Sequence, residues 1–308
     1  MFVGVIGNAA VIYIYSFVLK NTTVHYFITV LAVFDFICSL LGFPLEIIEF
    51  YNPMEYPSNG LCKWQRFLTF CCSIGSIFVL LLISIERYRK VCRPQSYQLN
   101  LQHAKYFTIG ACLFSVLFAT PMTIFSQNKL IQLKWFGNLT GCDCRLSNSY
   151  GILPLFYFIF LLIFATITLA TMLILYGLLW QMARMHFLES DSRYQQSLNN
   201  TEAGGRSPAR RQLSRTNHTV ILVTVLFTIS FFPTLLLSIF ADQLMANMSY
   251  REQLIFFMFV RMYILNSSFN PLVYGFCNKR FRNAFVKLFW QILCISPKDK
   301  QSSSTETS

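Results

Sequence analysis

The sequence predicts an all-α membrane protein: a seven-transmembrane helix bundle with a short amphipathic eighth helix. Three observations carry this. Of the 308 residues, 55% are hydrophobic and 12% charged, too little polar surface to cover a soluble domain. Seven apolar stretches are each long enough, roughly 20 residues, to cross bilayer hydrocarbon. Lysines and arginines also divide unevenly between the two sides that those spans define. With the amino terminus outside, only Lys63, Arg66, Lys129, Lys134, Arg145, Arg251 and Arg261 lie on the outer side, 7 of the 25; the other 18 lie inside. A multi-pass membrane protein follows, with its carboxyl terminus cytosolic. The net charge of +12 answers anionic lipid of the inner leaflet, not nucleic acid.

The elements follow in order. Span one, near 1–19, reads "MFVGVIGNAAVIYIYSFVL" and is the weakest; without a basic leader or a cleavage site it is a membrane helix rather than a signal peptide. Span two, 25–48, carries Asp35. Span three, 62–86, opens at Cys62 and runs into Glu86-Arg87-Tyr88, and span four covers 105–126. Next, "KLIQLKWFGNLTGCDCRL" alternates, turns and resumes, which predicts a β-hairpin over the outer mouth. Of ten cysteines only Cys62, Cys142 and Cys144 face the oxidising side, so one disulfide ties this loop to span three. Cys144 is the preferred partner and Cys142 the alternative.

Span five, 151–180, precedes a polar stretch at 185–217 that reads as a flexible cytosolic loop. Spans six and seven cover 218–240 and 254–276. Residues 279–290 place Phe281, Phe285 and Leu288 on one stripe with Lys279, Arg282 and Lys287 around the other, an amphipathic helix on the inner leaflet of the lipid bilayer. The tail, 291–308, is expected to be disordered, its serines and threonines open to phosphorylation and Cys294 to palmitoylation. Asn138 and Asn247 begin sequons in outer loops and are the expected glycosylation positions.

Several polar residues share one depth. At ~1.5 Å per helical residue, Asp35, Ser76, Asn270 and Asn8 all fall roughly 15 Å in from the cytosolic face, near half of a ~30 Å core, with Asn266 and Ser267 beside them. A carboxylate there needs partners and marks a functional site. Asp35, Ser76, Asn266, Ser267 and Asn270 supply oxygens suited to a small monovalent cation or ordered waters. Pro271 breaks the helix ladder beside them and is expected to let span seven bend. Arg87 can pair with Glu86 in one state and release it in another.

These residues together resemble the rhodopsin-like (class A) G-protein-coupled receptors from Gly7 to Phe281. The carriers are Gly7-Asn8, "LAVFD" ending at Asp35, Cys62, "ERY" at 86–88, Pro94, Tyr176, Phe227, Pro233, "NPLVY" at 270–274 and Phe281. The resemblance implies a sodium pocket at Asp35, Ser76, Asn266, Ser267 and Asn270, with sodium an allosteric modulator and no other cofactor. It implies a G-protein switch at Glu86, Arg87, Tyr88, Tyr176 and Tyr274. A connector beneath the ligand pocket is implied at Ile77, Thr168, Phe227, Phe231 and Pro233. Agonist binding would swing span six outward and open a cleft for a heterotrimeric G protein, with arrestin recruited by a phosphorylated tail.

The chain departs from the family pattern at several places. Phe231 replaces the tryptophan of span six, Thr168 the proline of span five, and Leu213 stands where some members carry an acid that locks Arg87; the tryptophan of span four is absent. Only seven residues precede Asn8, so the outer half of span one is expected to be missing from an incomplete chain, a shortened first helix being the alternative.

Thr69 occupies the position of the acid in amine receptors, and Ile264 that of the retinal lysine in opsins, so the resemblance excludes both ligand types. Glu46, Glu49, Gln65, Arg66, Thr69 and Arg261 ring the outer mouth, which suits a peptide, a short amidated one, in the manner of neuropeptide receptors. A signalling-poor scaffold is the main rival. A transporter or channel would need a polar path or inverted repeats. An enzyme would need a catalytic constellation, and His25, His103, His186 and His218 have no metal-ligand spacing.

Overall fold

The computed structural model describes residues 1–51, 56–133, 139–198, 208–245 and 248–292. Helix α1 (Phe2–Tyr13) runs on through a π-helical turn at Ile14–Val18. Helix α2 (Thr23–Ile37) continues through a second π-helical turn, Cys38–Gly42, into α3 (Phe43–Tyr51), so the three form one span. Side-chain caps set the starts. Thr22 accepts the His25 amide at 3.3 Å at the head of α2. Ser58 accepts that of Leu61 at 3.2 Å ahead of α4 (Asn59–Cys92), and Asn100 that of His103 at 2.8 Å ahead of α5 (Leu101–Phe125). Each satisfies an amide that a helix start leaves without an intrahelical acceptor.

Among the described residues, five helical stretches are long and apolar enough to cross a membrane: Thr23–Glu49, Asn59–Cys92, Leu101–Phe125, Leu153–Met182 and Thr219–Ala241. Phe2–Val18 is a shorter apolar helix. Helix α4 is the central post. Of its most apolar window 67% is buried, against 28% for that of α5, which turns Leu113 and Leu117 outward as a bilayer-facing helix does.

Strands β1 (Ser126–Leu133) and β2 (Leu139–Leu146) pair antiparallel with Asn128 opposite Cys144, the hairpin that the alternation predicts. It is fastened to the head of α4. Cys62 and Cys144 form a disulfide while Cys142 is free, which decides between the two candidate partners. The Tyr56 amide donates to the Cys142 carbonyl at 3.0 Å, and the Asn128 amide to Asn59 Oδ1 at 3.0 Å.

Three expectations need correction. Helix α6 (Leu153–Leu198) continues well beyond the expected span, and α7 (Pro208–Met245) begins before the next, so most of the loop expected at 185–217 is helical. Polarity alone does not end a helix; residues 181–198 contain no glycine or proline, and the next breakers are Gly204, Gly205 and Pro208. The seventh span is also two helices, α8 (Tyr250–Val260) and α9 (Tyr263–Cys277), parted at Arg261–Met262 rather than loosened at Pro271, through which α9 remains helical. At the break the backbone turns to shorter-range bonds, Ile264 to Arg261 at 3.1 Å and Leu265 to Met262 at 2.9 Å.

Helix α10 (Lys279–Ile292) follows directly. Phe281 is buried, and Ala284 and Leu288 pack against the core, but Phe285 is exposed with Phe289 and Trp290. The packed strip is therefore Phe281-Ala284-Leu288, and the expected stripe is split. Asn138, Asn247 and Cys294 lie outside the described residues.

Candidate functional site

Three polar layers are strung along α4. At the hairpin end Glu46 and Glu49, one turn apart on α3, meet Arg66 of α4 and Arg261 at the α8–α9 break. Glu46 accepts from Arg261 Nε at 3.0 Å and from the Tyr263 hydroxyl at 2.6 Å. Glu49 Oε1 takes Arg66 Nη2 at 2.9 Å and Arg261 Nη2 at 2.6 Å, and its other oxygen accepts Gln65 Nε2 at 2.7 Å. The Tyr56 hydroxyl donates to Gln65 Oε1, and Arg66 also reaches the Cys144 carbonyl at 3.3 Å. Both carboxylates are buried, a position tenable only when paired and hydrogen-bonded.

This network explains the broken seventh span. Arg261 is drawn sideways to two acids from another helix, and its own backbone leaves the helical path. Five of the six residues expected at the mouth are thus brought together. Thr69 is not among them: it is buried one turn below Gln65, and its hydroxyl has no hydrogen-bond partner. Tyr56 and Tyr263 are part of the network and were not legible in the sequence, since single tyrosines near charged residues carry no pattern.

Beside the network lies a cavity of about 510 Å³, within the range of small-ligand sites. Its walls include Phe70, Phe158, Phe256 and Phe257, and Glu49, Arg66 and Arg261 give it a charged side.

The middle layer centres on Asp35, which is 1% exposed. One of its oxygens accepts from Ser267 at 2.9 Å and the other from Asn270 at 2.6 Å. Asn8 donates to the carbonyls of Gly4 and Ser267, both at 2.8 Å. Ser76 and Asn266 are buried too, but among the described residues neither is bonded to Asp35. The oxygens of Asn8, Ser39, Asn266 and Asn270 have no hydrogen-bond partner. A carboxylate with spare amide and hydroxyl oxygens is the donor set of a hard cation, so these residues fit sodium. The helices meet closely here. A Cβ on Gly7 would lie 2.7 Å from Pro271, and one on Gly75 would lie 2.5 Å from the Phe34 ring.

Below it, Ile77, Phe227 and Phe231 are buried, with the two phenyl rings 5.4 Å apart. They border a void of about 10 Å³ shared with Met172 and Thr224. Thr168 donates its hydroxyl to the carbonyls of Phe164 and Ala165 at 2.9 Å, and α6 runs on through it as a helix. Pro233 sits inside α7.

At the far end of α4, Arg87 lies 3.6 Å from Glu86, which Lys90 also approaches at 3.6 Å; Tyr88 is half-buried. Tyr176 is held by Ser84 at 2.7 Å and Thr224 at 2.9 Å. Tyr274 is buried against the rings of Tyr15 and Phe281, at 5.9 and 6.3 Å, and Asn278 donates to the Tyr15 hydroxyl at 2.9 Å. Ser84, Thr224, Tyr15 and Asn278 were likewise missed, each being a lone polar residue in an apolar run.

The description "7 transmembrane receptor (rhodopsin family)" matches residues 7–274. The neuromedin-U receptor 2 of Mus musculus is 26% identical over 291 residues, 92% of this chain and 71% of the relative. The neuropeptide Y receptor type 2 of Cavia porcellus is 25% identical over 292 residues, 93% of this chain and 73% of the relative. The adenosine receptor A3 of Canis lupus familiaris is 26% identical over 316 residues, 98% of this chain and 92% of the relative. With its apolar helices and a match spanning most of its length, the chain belongs to the rhodopsin family of seven-transmembrane receptors, multi-pass membrane proteins that signal rather than catalyse.

Proposed function

We propose that this chain is a plasma-membrane receptor that binds an extracellular peptide at the hairpin end and activates a heterotrimeric G protein at the Arg87 end. The observation that carries the reading is that one helix, α4, bears both ends: Arg66 and Phe70 line the cavity, and Ser84, Glu86 and Arg87 build the opposite layer. A ligand that favours one packing of the helices around α4 therefore biases both ends, in proportion to its differential affinity. Activation is an outward movement of α7, weakened at Pro233, which uncovers Arg87, Tyr176 and Tyr274.

The charged side of the cavity, roofed by a disulfide-tied hairpin, favours a peptide with both polar and aromatic groups. The names of the neuromedin-U and neuropeptide Y relatives agree. In this orientation the amino terminus and any glycans on Asn138 and Asn247 are extracellular. Helix α10 rests on the inner leaflet through Phe285, Phe289 and Trp290, with Cys294 beyond it as a palmitoylation position, and a phosphorylated tail would recruit arrestin. Asp35, Ser76, Asn266, Ser267 and Asn270 would hold a sodium ion, which supplies positive charge beside the buried carboxylate and so favours one packing of α2 against α9.

The adenosine receptor A3 relative favours a second reading, a nucleoside ligand. The test is a signalling response in cells that display the chain at their surface, challenged with a neuropeptide panel and with adenosine, alongside Arg87→Glu. A peptide response that Arg87→Glu abolishes supports the first reading. A response to adenosine alone supports the second, and silence to both from surface-displayed receptor supports a signalling-poor scaffold.

A further inference from the structure

The Tyr176 hydroxyl joins three helices. It lies 2.7 Å from Ser84 Oγ on α4 and 2.9 Å from Thr224 Oγ1 on α7, and all three side chains are buried. Serines and threonines in membrane helices often bond to their own preceding turn, and these two do so besides meeting Tyr176, Ser84 at the Leu80 carbonyl at 2.8 Å and Thr224 at that of Val220 at 3.0 Å. Local satisfaction does not account for their convergence on one phenol from two other helices.

Proton bookkeeping shows that the chain of hydroxyls is closed. Three hydroxyls own three protons for four contacts. In one arrangement Ser84 donates to Tyr176, Tyr176 to Thr224, and Thr224 to Val220. The one contact then left without a proton is at Leu80, whose carbonyl already accepts a helical amide. No buried group is stranded, in that direction or the reverse. The adjoining void of about 10 Å³ is at the lower limit of room for one water, so solvent offers little replacement for a lost partner.

The place of the triad matters. Ser84 precedes Arg87 by one turn, and Thr224 precedes Phe227 by one turn. From Pro208 to Ala241 the sequence of α7 contains no acidic residue that could pair with Arg87. We propose that Ser84 and Thr224 are positioning residues that hold Tyr176 in the closed bundle, so that their hydroxyl chain latches α7 to α4 and α6 until activation. The proposal rests on the reading that α7 moves outward.

Opening breaks at least the Tyr176–Thr224 bond. A net hydrogen bond of ordinary strength corresponds to roughly a three- to tenfold change in the ratio of open to closed receptor. The experiment uses the full chain in membranes without ligand, carrying a spectroscopic distance probe between α4 and the Arg87 end of α7. The probe is read before and after addition of nucleotide-free heterotrimeric G protein. Thr224→Val keeps the side-chain shape and removes the hydroxyl; it should raise the ligand-free open population by that factor, and Thr224→Ser should restore the closed state. A wild-type α7 that moves with G protein, while Thr224→Val leaves the population unchanged, overturns the latch and leaves the receptor reading standing. An α7 that stays fixed in every case overturns both.

Discussion

Asn8 and Ser267 come from the two ends of the chain, yet the Asn8 amide donates to the Ser267 backbone carbonyl at 2.8 Å. That carbonyl stands four residues before Pro271, the one residue of α9 with no N–H to offer it. Asn8 therefore supplies the donor that the proline withholds, which is how α9 passes through Pro271 as a helix. Asn8→Ala should destabilise the receptor by about 1–3 kcal/mol by stranding a buried acceptor. The loss should shrink when Pro271→Ala restores the helical amide. Thermal unfolding of the two single variants and the double variant measures the coupling, and additive effects would contradict the account.

The charged network at the hairpin end should be intolerant of partial removal. Arg261→Ala leaves Glu46 and Glu49 short of a partner in a buried setting, and a cost of about 3 kcal/mol is expected, near the low end for broken buried pairs because Arg261 is partly exposed. The same variant should lower the potency of an active peptide at least tenfold. Unchanged Tm and potency would show the network to be incidental.

Cys144→Ser and Cys142→Ser separate the disulfide from its neighbour. Opening the Cys62–Cys144 bridge should cost about 2–5 kcal/mol and reduce surface display, whereas Cys142→Ser should leave both intact. Equal losses from the two substitutions would contradict the pairing.

Two glycines should respond in opposite senses. Gly75→Ala places a Cβ 2.5 Å from the Phe34 ring beside Asp35, and should cost about 1–3 kcal/mol by overpacking. Gly177→Ala meets nothing within 4 Å and should stabilise α6 by about 0.5–1 kcal/mol. Thermal unfolding of each variant reads the sign directly.

What could be read from the sequence follows the range of the forces involved. The bonds from Ser267 and Asn270 to Asp35 were foreseeable, because helical rise fixes depth and a buried carboxylate must find partners at its own level. The hairpin was foreseeable from strict alternation. The break at Arg261–Met262 was not: no glycine or proline marks it, and its cause lies in Glu46 and Glu49 on another helix. The length of α6 was misread because polar composition resembled disorder, although no residue there stops a helix. Ser84 and Thr224 gave no signal, since a hydroxyl that bonds its own helix and one that reaches another look alike in sequence. Phe285 shared its stripe with Phe281 by spacing alone, and only the bundle decides which of them packs.

The central claim is that peptide binding at the hairpin end and G-protein binding at the Arg87 end are linked through one set of helices. Linkage is reciprocal, so it can be read from binding alone. The measurement is the affinity of an active peptide for membranes bearing the receptor, with and without nucleotide-free G protein. The account predicts an affinity about 5- to 150-fold higher when G protein is present, a gain that Arg87→Glu abolishes. Equal affinity in both conditions, from a receptor that binds the peptide, would contradict it.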